Sequence, residues 1–190
     1  MRAYHGPGGS AERTRNARAG RALAPPPWDD TTRIRSSVEI ARDPDLVFDY
    51  VTTPANWPKW HPSSLGVSGA ADHPLELGEQ VTEDFLVAGH RGRAVWTVLE
   101  REAPERWVIA GEVNGRKAGA ITYTLTPSGT GTRFDREFVY ASPSILFAML
   151  NRASVRAEVE RESATAVQRL KQILESTARR EGHSWSSGSA

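Results

Sequence analysis

Glu83 and Arg136 stand out as the residues most able to do chemistry. Each sits in a run whose alternate positions are otherwise apolar: Val81, Glu83, Phe85 and Val87 in one, Phe134, Arg136, Phe138 and Tyr140 in the other. Alternation of this kind puts a set on one face of a strand. Both charges are therefore expected among apolar side chains, where a charge is costly unless paired. Arg136 can there hold a carboxylate, phenolate or enolate oxygen. Glu83 can act as a general base, its pKa raised by burial. The alternative is that local twist or a bulge turns both side chains to solvent.

His61 and Tyr123 complete the candidate catalytic set. His61 lies in residues 56–62 (NWPKWHP) and can exchange a proton near neutral pH, or it is an ordinary exposed loop histidine. Tyr123 can hydrogen-bond a ligand carbonyl, or simply fill the core. The candidate ligand-lining residues are aromatic: Trp57, Trp60, Phe85, Trp96, Trp107, Phe134, Phe138 and Tyr140. Trp57 and Trp60 serve equally well as a plug for one end of the core.

Other chemistries lack their residues. The chain has no cysteine, which excludes disulfides, zinc ribbons, iron–sulfur clusters and a thiol nucleophile. Its five histidines show no metal-ligand spacing, and neither a glycine-rich phosphate loop nor a dinucleotide fingerprint occurs. Ser63 and Ser64 lack a nucleophile-elbow context. No metal or cofactor is expected. A net charge of +1 argues against a nucleic-acid binder. No apolar run approaches the roughly 20 residues of a membrane span.

The charge is unevenly spread. Residues 1–28 carry five arginines against Glu12, a net of +4, which leaves −3 for the rest. This arm is rich in Gly and Pro and has almost no apolar periodicity, so residues 1–32 are expected to be disordered. The working domain is expected at 33–176 and a flexible tail at 177–190. The arm lacks the apolar core of a secretory peptide. With no cysteine either, a cytoplasmic monomer or homodimer is expected.

The elements that must position these residues are readable. Ile34, Ser36, Val38 and Ile40 alternate on one face of a strand over 33–41. Asp43-Pro44 caps and starts a short helix over 45–52, which Thr53-Pro54 ends. A short strand at 65–70 is followed by five runs at 79–88, 93–101, 106–113, 118–126 and 132–140. Their connections are short: a type I turn at Ala103-Pro104-Glu105, a hairpin at Asn114-Gly115 and a tight turn at 128–131. Consecutive strands with short turns make an antiparallel meander. On the strand at 93–101, Trp96 and Val98 are taken as inward, with Val95, Thr97 and Leu99 as the rival face. A Ser142-Pro143 start opens one long helix to about Ser176. Its small or apolar stripe is Val155, Val159, Ser163, Ala166, Leu170 and Ile173, and Glu162 falls on its charged face.

The resulting order is β-α-α-β6-α: a seven-stranded antiparallel sheet that curls around a long C-terminal helix. A helix about 10 Å across does not fill such a concavity, so the α+β architecture predicts a deep apolar pocket.

The stretch SVEIARDPDLVFDYVTTPANWPKWHP resembles the opening of the SRPBCC superfamily, the START/Bet v 1-like helix-grip proteins. It is most similar to the polyketide cyclase/dehydrase and lipid-transport subgroup. The resemblance rests on Ile40-Ala41, Val47-Phe48, Pro54 and Trp60-His61-Pro62. It continues through Leu77-Gly78, Val98 with Glu100 before Pro104, residues 123–127 (YTLTP) and Gly131-Thr132-Arg133. It implies a helix-grip fold over about 33–175 and binding of a small hydrophobic or aromatic ligand. Two uses follow: a polyketide cyclase, aromatase or dehydratase (a lyase or isomerase), or a carrier that sequesters a lipid-like ligand without chemistry. A third is an accessory protein of the chaperone-activator type.

Overall fold

The structure is a computed structural model and describes residues 31–87, 89–141 and 152–186. Residues 1–30 of the basic arm, residues 142–151 at the expected start of the long helix, and residues 187–190 lie outside the described residues, whereas Thr31 and Thr32, expected in the arm, open the first strand.

Strand β1 (Thr31–Ile40) leads into helix α1 (Pro44–Thr52). Asp43 caps that helix by accepting from the Asp45 N–H at 3.0 Å, and Pro44 occupies its first position. A 3-10 turn (Pro54–Asn56) and the one-turn helix α2 (Trp57–Trp60) follow. The remaining strands are β2 (Ser64–Gly69), β3 (Gln80–Val87), β4 (His90–Glu102), β5 (Arg106–Val113), β6 (Arg116–Ser128) and β7 (Gly131–Ala141), before helix α3 (Arg152–Ser186). They form one antiparallel seven-stranded sheet in the order β1-β7-β6-β5-β4-β3-β2. The fold is the expected α+β helix-grip arrangement of a curved sheet with a C-terminal helix.

Two local readings change. The Ala103–Pro104 peptide is cis, and Glu105 N–H closes the turn on the Glu102 carbonyl, so proline holds the third turn position rather than the second of a type I turn. Helix α3 also continues past Ser176 to Ser186. Residues 178–181 (ARRE) are good helix formers, and the single Gly182 costs only about 1 kcal/mol against alanine.

Alternation sets the inner face. On β4, Trp96 and Val98 are 8% and 1% exposed, whereas Val95 and Leu99 are 38% and 52% exposed. Bulges at Ser64/Gly66, Val98/Glu100 and Gly111/Glu112 bend the strands. The one on β4 shifts the register, and the Arg101 guanidinium lies 5.5 Å from the centre of the Phe48 ring. Gly111 lets the sheet carry a large inward ring, since a Cβ there would come within 2.7 Å of the Trp96 indole.

Helix α3 buries Val159, Ser163, Ala166, Val167, Leu170 and Leu174, a continuous stripe at helical spacing, while Val155 and Ile173 are half-buried. It packs chiefly along β1. Lys171 Nζ donates to the Glu39 carbonyl at 2.6 Å, and Glu175 accepts from the Ala41 N–H at 2.9 Å, so both pin the helix to the end of that strand.

The turn into β7 has no room for a side chain: a Cβ at Gly131 would stand 2.2 Å from the Ile40 carbonyl oxygen. Gly131→Ala is expected to cost about 1–3 kcal/mol by forcing backbone apart. Gly66→Ala, where nothing lies within 4 Å, serves as the near-neutral control. Chemical denaturation of both variants checks this.

Candidate functional site

Arg136 lies at the centre of β7, with Ser36 of β1 as its partner on one side and Tyr123 of β6 on the other. It is 4% exposed. Its Nη1 donates to Ser163 Oγ of α3 at 3.3 Å, and its guanidinium sits 5.5 Å from the Phe138 ring centre. Burial lowers its pKa, while the neighbouring Tyr123 and the Glu83 charge work the other way. Tyr123 is 2% exposed, and burial pushes its phenol up to about 12, so it stays protonated in the neutral range.

Glu83 enters from β3 between Val67 of β2 and Ala94 of β4. Trp96 Nε1 donates to its Oε2 at 2.8 Å. Burial raises its pKa, opposed by the Ser64 hydroxyl, the Trp96 indole and the Arg136 charge. Glu83 and Arg136 feel each other electrostatically but do not approach within the 4.0 Å of an ion pair. Arg136 is thus inside, and Glu83 is half-buried with its carboxylate on the Trp96 indole rather than turned fully to solvent.

His61 follows α2. Its ring packs edge-on against Trp60 at 5.5 Å, and its Nδ1 lies 3.3 Å from the Ser63 backbone N–H. Its Nε2 is buried with no partner among the described residues. Burial, and then the Arg136 charge, holds its pKa well below 6.5. The ring is half-buried rather than exposed, and its surroundings favour the neutral imidazole. Ser63 Oγ donates to Glu162 Oε2 of α3 at 2.7 Å, which ties this loop to the helix.

The aromatic candidates divide. Trp57, Trp60 and Trp107 are at most 4% exposed. They pack on one another and on Tyr123 and Phe134: Trp57 meets Trp107 edge-on at 6.3 Å, Trp60 meets Phe134 at 6.4 Å, and Trp107 stacks on Tyr123 at 5.3 Å. Trp57 Nε1 also donates to the Val51 carbonyl at 2.9 Å. Phe138 and Tyr140 stack at 5.1 Å and are half-buried. Phe85 packs over Gly92 at the margin of the core, where it also lines an open depression of about 370 Å³ with Leu65, Gly66, Asp84 and Arg91.

The structure thus joins Glu83, Trp96, Tyr123, Arg136 and His61 around one interior, with Trp60, Trp107 and Phe134 packed behind Tyr123. Sequence reasoning missed Ser36, Ser64 and Ser163 as members, and Glu162 as the anchor of the His61 loop. Ser36 and Ser163 did carry a signal: each is the polar member of an otherwise apolar or small stripe, the same signal that marks Glu83 and Arg136. Among the described residues no cluster of acidic and histidine side chains could hold a metal ion, and no helix is long and apolar enough to cross a membrane.

Comparison with known proteins places this arrangement. No curated protein sequence matches the chain. Among solved structures, a Thermus thermophilus protein superposes with a TM-score of 0.62 at 15% identity, over 77% of this chain and 99% of its own. A Mesorhizobium loti protein gives 0.57 at 18% identity, over 77% and 98%. DynU16, a protein in the dynemicin biosynthetic locus, gives 0.53 at 20% identity, over 75% of this chain and 47% of its own. At such identities these likenesses establish the fold alone. The sequence model of the family described as polyketide cyclase/dehydrase and lipid transport matches residues 31–175. That match spans the sheet and most of α3, and the chain belongs to this family.

Proposed function

We propose that the protein binds a small, largely apolar, oxygen-bearing molecule on the concave side of its sheet, anchored by Arg136 and faced by Glu83. One observation carries this reading: a guanidinium 4% exposed, with an acid of raised pKa in the same interior, and no ion pair between them. A carbonyl or anionic oxygen between the two accepts from the guanidinium and from the carboxyl O–H of protonated Glu83, and the apolar surroundings strengthen each contact.

The same groups support catalysis of the cyclase, aromatase or dehydratase type. Glu83 in its carboxylate form takes a proton from carbon next to a ligand carbonyl. Arg136 stabilises the enolate that results. Tyr123, protonated throughout the neutral range, hydrogen-bonds a carbonyl or a departing hydroxyl. The packed rings of Trp60, Trp107 and Phe134 hold this geometry rigid, which is what proximity catalysis requires. The second reading is a carrier that uses Arg136 as an anchor without chemistry. It is favoured by the lipid-transport side of the family's description and by an interior in which only a few polar groups break an apolar surface.

Titration with a panel of aromatic and acyl compounds, followed by tryptophan fluorescence, tests the anchor. Arg136→Leu and Glu83→Gln are each expected to weaken binding roughly tenfold or more, as loss of a charged hydrogen bond worth about 1.5–3 kcal/mol implies. Unchanged affinity in both variants refutes it. Water loss from a β-hydroxyacyl thioester, read by mass spectrometry and abolished by Glu83→Gln, separates enzyme from carrier.

The buried imidazole also sets a stability limit. His61 has a folded pKa below its unfolded value of 6.5, so the unfolded chain binds a proton that the folded chain refuses. Its contribution is present above pH 6.5 and is lost as pH falls from there through the folded value. The stability difference between wild type and His61→Gln, measured by denaturation across about pH 5–8, is expected to shift against wild type on the acid side.

A further inference from the structure

Three of the buried polar atoms without a partner among the described residues belong to Arg136 and its surroundings. Arg136 Nε is one. The hydroxyl of Ser36, its cross-strand neighbour, is another. His61 Nε2 is a third, and its place follows from the aromatic packing. The Trp60 ring, beside His61, meets Tyr123 at 6.3 Å and Phe134 at 6.4 Å. Those two residues flank Arg136, one across the sheet and one along its own strand.

The tautomer of His61 follows from Ser63. The Ser63 backbone N–H is 3.3 Å from Nδ1, so Nδ1 accepts. In a neutral imidazole the proton then sits on Nε2, which makes the unpartnered atom a donor.

We propose that Arg136 Nε–H and His61 Nε2–H form a two-donor cradle for one negatively charged oxygen of the ligand: a carboxylate, enolate or phenolate. This rests on the reading of the interior as a ligand site and names the class of ligand that it takes. A neutral carbonyl would satisfy the donors but leave the buried cation without a counter-charge. An anionic oxygen meets both demands. Glu83 does not substitute for it, since that carboxylate is engaged by Trp96 at 2.8 Å and stands outside ion-pair reach of Arg136.

Glu162 is the positioning residue of this cradle. It accepts from Ser63 Oγ at 2.7 Å and so holds the backbone N–H that selects the His61 tautomer. Helix α3 therefore secures both donors, Arg136 through Ser163 and His61 through Glu162.

Two measurements on the full chain test the assignment. Nitrogen-15 NMR of the histidine side chains at neutral pH is expected to show His61 neutral with the proton on Nε2. A proton on Nδ1, or an imidazolium, overturns it. Tryptophan fluorescence titration then compares 2-naphthoate with 2-naphthalenemethanol, which share a ring system and differ in charge. Wild type is expected to prefer naphthoate at least tenfold. That preference should collapse in His61→Phe and in Glu162→Ala, and survive in Glu162→Gln, whose amide oxygen still accepts from Ser63. A preference unchanged in His61→Phe assigns the selectivity to Arg136 alone and overturns the two-donor cradle. Equal binding of both compounds by wild type overturns the cradle but leaves the broader ligand reading standing. Binding of neither overturns both. Where His61→Phe fails to fold by circular dichroism, the Glu162 pair and the wild-type spectrum decide.

Discussion

A guanidinium held inside an apolar interior is the constraint around which the rest of this protein is arranged. Arg136 cannot turn outward without carrying Phe134 and Phe138 with it, because all three share one face of β7. Leaving such an ion buried without partners costs several kcal/mol. The structure meets the demand piecemeal. The Phe138 ring offers its face, Tyr123 its phenol, and α3 a hydroxyl at Ser163. None of these neutralises the charge, and Glu83 balances it only from a distance.

That demand explains features of the helix that packing alone does not. The buried stripe of α3 is built of Val, Ala and Leu except where it faces Arg136, and there it carries Ser163. One residue earlier, Glu162 reaches the loop after α2 and fixes it through Ser63. The helix is therefore more than a lid on the sheet. It couples the two elements that deliver polar groups to the interior, while Lys171 and Glu175 hold its far half to β1. Behind the polar groups, the interlocked rings of Trp57, Trp60, Trp107, Tyr123 and Phe134 form a stiff wall. Each fully buried large ring contributes roughly 1.5–3 kcal/mol. The wall that stabilises the domain also keeps the site from collapsing or wandering.

Membership of the polyketide cyclase/dehydrase and lipid-transport family sets the range of functions without choosing among them, as one fold hosts many chemistries. The choice lies in the polar groups. Glu83 and Arg136 held apart, with Tyr123 and His61 beside them, are the groups on which the proposed ligand reading rests.

The amino-acid order by itself determined the strands, most of their turns, the capped first helix and much of the inward face of the sheet, because the two-residue period of a pleated strand is local. Trp96 and Val98 on one side, the Asn114-Gly115 hairpin with both residues at positive φ, and the isolation of Glu83 and Arg136 among apolar neighbours were all legible that way. Tertiary structure alone decided what those faces meet. His61 sits in a short segment with no period to read, so its surroundings came only from the packing of Trp60 on Tyr123 of β6 and Phe134 of β7. Ser163 is small enough to suit either face, and it meets Arg136 only because α3 packs across the sheet. Glu162 read as part of a solvated face until Ser63 arrived beside it. The physical reason is one of range: alternation is dictated by the bonds of the chain itself, whereas partnership among polar groups depends on which distant elements pack together.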